Sequence, residues 1–178
     1  MNKIEIPLSK TKLLFGIAGS ILFVVLGLYL FITMADQQSR FNPAIVKGVG
    51  IAAILFFSAT GIYGIKKMFD NAIGLTIDDN GIFDNTNASS VGLIKWTDIK
   101  EVKVEQVAST KILLIYIINT DIYLDKVIGF KRKLMEANNR MYGTPLSITS
   151  NTLKYKFEDL VKLINGRLNE QRERMPDR

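Results

Sequence analysis

The chain has 178 residues, 48% of them hydrophobic, a net charge of +6, and neither cysteine nor histidine. That composition excludes disulfide scaffolds, thiolate zinc centres, cysteine nucleophiles and histidine general bases. Residues 66–178 hold eighteen Lys/Arg against fifteen Asp/Glu, a balance that argues against nucleic acid as a partner.

Two runs carry no charge: Leu13–Met34 with twenty-two residues and Gly48–Ile65 with eighteen. At ~1.5 Å per residue they reach roughly 33 and 27 Å as helices, against a hydrocarbon core of about 30 Å. Only a helix satisfies its own backbone at that depth, so residues 1–69 are predicted to form a two-span transmembrane hairpin. Lys3, Lys10 and Lys12 precede the first span and Lys66 and Lys67 follow the second, whereas the loop Ala35–Lys47 holds only Arg40 and Lys47 as basic residues. The excess of flanking charge predicts both termini on the cytoplasmic side. The first run exceeds the ~7–15 residues usual for the apolar part of a cleaved signal, which favours an uncleaved anchor. Neither span contains an ionisable residue, which argues against an ion pathway. Small residues at four-residue spacing, Gly16 and Ser20 in the first span and Thr60 and Gly64 in the second, are expected to meet at one level of the hairpin.

After Asp70 the period changes to two. Ile73, Leu75 and Ile77 alternate with polar residues, Asp79-Asn80-Gly81 reads as a tight hairpin, and Ile82–Thr86 as the return strand. Further strands are predicted at Val91–Trp96, Ile99–Gln106, Lys111–Asn119 and Ile122–Val127, all rich in β-branched residues. Phe130–Tyr142 has helical composition with Phe130, Leu134 and Met141 on one side, and Leu146–Thr149 reads as a last strand. Phe157, Leu160, Val161, Ile164 and Leu168 form the apolar stripe of an amphipathic C-terminal helix. Residues 173–178 are expected to fray.

Six or seven antiparallel strands closed by one amphipathic helix is the pattern of a pleckstrin-homology domain. Ile94-Lys95-Trp96-Thr97-Asp98-Ile99-Lys100-Glu101-Val102 resembles the Ile-x-Trp-x-x-Ile-x-x-Val signature of bacterial PH-like domains that follow a two-span hairpin. Gly143-Thr144-Pro145-Leu146-Ser147-Ile148 is similar to their last-strand segment. The resemblance covers nearly the whole chain. It implies an α+β architecture, with a PH-like β-barrel or sandwich over residues 70–172, and residence in the bacterial inner membrane. Within the signature Ile94, Trp96, Asp98 and Ile99 are expected to be structural, Trp96 plugging the sheet and Asp98 capping the turn.

PH domains that bind phosphoinositides place several Lys/Arg on the first hairpin. Here that hairpin is Asp78-Asp79-Asn80-Gly81, which is acidic. The alternative basic patch is Lys131, Arg132, Lys133 and Arg140, a candidate contact for anionic lipid headgroups at ~1 kcal/mol per charge, to be weighed against an ordinary solvated helix face. Asp78/Asp79 and Glu158/Asp159 fit a strand turn and a helix N-terminus, and no serine has a basic partner in a known catalytic spacing. No catalytic residue, metal or cofactor is assigned. Lys111–Asn119 is apolar on both faces, so one face either meets a partner or is covered locally. The expected function is non-enzymatic: binding of a protein partner at the cytoplasmic face of the membrane. Sensing of anionic lipid and immunity-like protection against a membrane-directed toxin are the alternatives.

Overall fold

The computed structural model describes residues 2–108 and 110–174. The chain divides into two units, one formed by Lys10–Asn71 and the other by the residues up to Ser9 together with those from Ala72 onward.

The first unit is the helical hairpin. Helix α1 spans Lys10–Tyr29 and continues through a π-helical turn, Leu30–Met34, into the short α2, Ala35–Gln37. Helix α3 spans Pro43–Met68. Lys10–Gln37, with 28 residues, and Pro43–Met68, with 26, are long and apolar enough to cross a membrane. Most of their side chains are exposed, Phe15, Ile32 and Leu55 among them, which sets them apart from core helices of a soluble domain. Only five residues connect the helices, because the predicted thirteen-residue loop is largely helical. The Gln38 amide accepts from Phe41 N at 2.8 Å and donates to Phe41 O at 2.7 Å. Asn42 then caps α3 by accepting from Ala44 N at 2.9 Å, with Pro43 in the first helical position.

The helix contact includes part of the expected level and shifts its glycines. Ser20 Oγ lies 3.3 Å from Thr60 Oγ1, and Gly64 packs on Ile17. Gly16 and Gly48 meet nothing within 4 Å, while a Cβ on Gly50 would come 2.8 Å from Gly27 O. Gly27 and Gly50 therefore mark the closest approach of the two backbones, and Phe23 stacks on Phe57 at 4.4 Å nearby.

The second unit is α+β. Strands β1 (Ile4–Ile6), β2 (Leu75–Ile77), β3 (Gly81–Asp84) and β4 (Gly92–Lys95) form one antiparallel sheet in that order. Strands β5 (Ile99–Val107), β6 (Thr110–Ile117) and β7 (Leu146–Ile148) form a second antiparallel sheet. The two sheets do not close into a barrel. Trp96–Asp98 is a single 3₁₀ turn between them. Helices α4 (Asp121–Leu124), α5 (Gly129–Tyr142) and α6 (Phe157–Arg174) complete the unit.

Several boundaries correct the sequence-based expectations. Residues up to Ser9 belong to the β unit and not to the hairpin: Ile4–Ile6 pairs with Leu75–Ile77, Ser9 N donates to Thr152 O at 2.7 Å, and Lys154 N donates to Pro7 O at 2.9 Å. The predicted strand Ile122–Val127 is instead the helical turn α4. Asn119 Oδ1 accepts from Asp121 N at 2.9 Å and starts the turn. The buried residues Tyr123, Leu124 and Val127 follow i, i+1, i+4 spacing, so burial by a helical face overrides β-branched composition. In α5 the inward residue is Met135, while Phe130 and Met141 face outward. Helix α6 runs on through Glu173 and Arg174; the remainder of the tail expected to fray, residues 175–178, lies outside the described residues.

Both sheets and α6 share one core. Ile6, Leu75, Ile77 and Ile82 of the first sheet, Leu113, Ile115 and Ile148 of the second, and Leu160 and Ile164 of α6 are all 2% exposed or less. Strand β6 is covered on both faces, since Leu113, Leu114 and Ile115 are consecutive and buried. It therefore offers no apolar face to a partner. Gly81 is required by close approach: a Cβ there would sit 2.1 Å from Ile94 O. Gly143 adopts φ +75° and ends α5, its N–H donating to Asn139 O at 2.9 Å.

Candidate interaction surfaces

The register gives the β unit two distinct ends. At one end Ile6 pairs with Leu75, Leu75 with Asp84 and Asp84 with Gly92. From this end the chain leaves through Ser9 and returns at Ala72. At the far end lie the Asp78–Gly81 turn and Lys95, which pairs with Gly81. Asp78 Oδ1 closes that turn by accepting from Asn80 N at 2.8 Å and Gly81 N at 3.2 Å.

The signature residues come together at the far end. Ile94, Trp96 and Ile99 are buried in the core, and Trp96 Nε1 donates to Asp78 O at 2.8 Å. Asp98 bonds to side chains: its Oδ1 accepts from the Thr97 hydroxyl at 3.1 Å. Its Oδ2 accepts from the Tyr123 hydroxyl at 2.7 Å, and that hydroxyl accepts from Lys95 N at 3.1 Å. Burial, and then the bond to Asp98, push the Tyr123 hydroxyl well above the ordinary tyrosine range. Tyr123 thus ties α4 to the end of β4, a role hidden from the sequence as long as 122–127 read as a strand.

The four basic residues of α5 do not converge. At about 100° per residue Lys133 and Arg140 share one line of the helix and Lys131 lies nearly opposite. Arg132 is engaged within the fold. Its Nε donates to Glu136 at 2.9 Å, and one Nη contacts Asp125 at 3.2 Å and Leu124 O at 3.3 Å. Glu136 first and Asp125 second push its pKa up.

Two features of the far end were not legible in the sequence. One is a set of exposed apolar side chains. Ile118, Ile128 and Phe130 are 73%, 86% and 75% exposed, and Ile122 is also open to solvent. Ile118 N donates to Asp98 O, and Arg132 fastens the first turn of α5 to α4, so these residues belong to the far end. The other is a groove of about 330 Å³ between the 3₁₀ turn, the start of β5 and the end of α6, lined by Trp96, Thr97, Ile99, Ile118, Leu168, Gln171 and Arg172. Gln171 continues the stripe of α6 three residues beyond Leu168, but a polar residue past the last apolar position of the stripe gave no reason to place it inside.

Together these features define a helical hairpin carrying an α+β unit with an apolar far end and a small groove. Compared with protein-family models, curated proteins and solved structures, the chain shows no match.

Proposed function

We propose that this is a non-enzymatic, membrane-anchored module whose PH-like β unit binds a protein partner at the cytoplasmic face of the bacterial inner membrane. The observation that carries the reading is the exposure of Ile118, Ile122, Ile128 and Phe130 along the short connection from β6 through α4 to the first turn of α5. Several large apolar side chains left open in one short segment favour association with another macromolecule. The scattered basic residues of α5, with Arg132 already paired, add little to a lipid reading.

The PH-like assignment draws on the two antiparallel sheets followed by an amphipathic helix, and on the buried signature tryptophan. The pairing of β1 with β2 supports a topology with both flanks of the hairpin on one side, and the flanking lysines favour the cytoplasm. With single cysteines introduced at Ser39 or Glu105, an impermeant thiol reagent added to intact cells is expected to label the first position only. Labelling at Glu105 alone would invert the topology.

The partner reading is tested by placing a photo-crosslinking residue at Phe130 in the full-length protein in its own membrane. A discrete protein adduct is expected from Phe130 and none from Glu105. Adducts of lipid size alone, or none at Phe130, would overturn it.

A further inference from the structure

The groove at the far end has the features of a site for an extended chain. We propose that it binds a peptide segment of the partner protein in which an apolar residue stands beside a carboxylate. This rests on the protein-partner reading above and gives that partner its chemistry.

Gln171 is the first observation. It is only 6% exposed, lines the groove, and makes no side-chain hydrogen bond among the described residues. No side-chain nitrogen or oxygen of the fold is both sealed and unpartnered among the described residues, so the Gln171 amide remains open to a group entering the groove. It offers one acceptor and a donor pair, the complement of a backbone peptide group.

The walls are the second. Trp96, Ile99 and Leu168 are buried beneath the groove while Ile118 stands open beside it, so an apolar side chain entering there completes a layer that the fold leaves unfinished. The volume is at the low end of the roughly 300–1,000 Å³ of ligand pockets. It accommodates a short stretch of chain and not a folded surface.

Charge and strand geometry specify the rest. Arg172 lies on the rim, and one of its Nη groups donates to Lys100 O. A guanidinium has five N–H donors, so several remain for a carboxylate. Ile99 also begins β5, which among the described residues pairs with β6 and forms an edge of its sheet. An extended segment can continue along that edge beyond Lys100.

The test uses the full-length protein in nanodiscs and a displayed library of random linear peptides. Enriched peptides are expected to share an apolar residue next to Asp or Glu. They should bind about tenfold or more weakly to Gln171→Leu and to Ile118→Arg, and equally well to a variant changed at the exposed Met141, Met141→Ser. Ile118→Arg alters an exposed position and keeps the test independent of folding. Failure to enrich, or equal binding to both groove variants, overturns the groove as a peptide site. Crosslinking from Phe130 separates this from the parent reading. An adduct that persists in Gln171→Leu leaves the partner in place and removes the groove. An adduct lost in Gln171→Leu supports both.

Discussion

Removing residues 2–9 is expected to abolish cooperative folding of the β unit, although these residues precede the helical hairpin. Strand β1 is an integral edge of the first sheet, with Ile4, Glu5 and Ile6 opposite Ile77, Thr76 and Leu75. Ile6 is 2% exposed, and Leu8 bridges to Leu153, itself fully buried. Burying a side chain of this size contributes about 1.5–3 kcal/mol, and the main-chain bonds of Ser9 and Lys154 would be lost as well. Two such side chains together approach the ~5 kcal/mol at the low end of domain stability. A fragment of residues 70–174 should therefore lack a cooperative melt. Residues 2–9 joined to 72–174 by a short flexible linker should recover one, since both ends of the missing hairpin leave the same end of the unit. Circular dichroism melts of the two forms decide it. A cooperative transition in the shorter fragment would mean that β1 is dispensable. A melt lost in the fragment and regained in the joined form makes the hairpin an insertion after the first strand of the β unit, and the isolated C-terminal portion the wrong fragment for binding studies.

How far the sequence could be read follows from how local each signal is. The two long apolar helices were legible because each is one continuous stretch in which both length and the absence of charge can be read directly. Strands β2 to β6 were legible because period-two alternation is a local pattern and the intervening turns carry Asn, Gly and Ser. Strand β1 was missed for the opposite reason. Three residues directly before a span have too little sequence to show a period, and their partners lie about seventy positions on. Ile122–Val127 misled because β-branched composition is a statement about packing, and here the packing is against the Asp98 turn through Tyr123. The stripe of α5 was read in the wrong direction: Phe130 and Met141 keep helical spacing but face solvent, and Met135 alone is buried. The groove was invisible because its walls come from two segments some seventy residues apart, as the bond from Arg172 to Lys100 O shows.

Trp96→Ala is expected to destabilise the β unit by about 3–5 kcal/mol, the usual range for emptying an aromatic core site. For a unit of this size that lowers the melting midpoint by more than about 10 °C. Trp96 is 4% exposed and joins the core of the first sheet to the start of the second. Its indole Nε1 also donates to Asp78 O, so truncation removes a hydrogen bond worth about 1 kcal/mol net as well as the packing. Trp96→Phe keeps most of the ring volume and should cost clearly less, which separates the packing contribution from that of the Asp78 bond. Hydrogen exchange reports where the damage falls. The amides of Ile82 and Ile94, which are paired across β3 and β4, should lose protection in the alanine variant, while the helix amides near Gly27 and Gly50 should not. The far end would loosen with Trp96, because the turn at Asp78 and the floor of the groove rest on the same side chain. Unchanged melting with Trp96→Ala would identify the residue as an interface anchor held in place by something other than the core, and the binding site would then centre on Trp96 in place of Gln171.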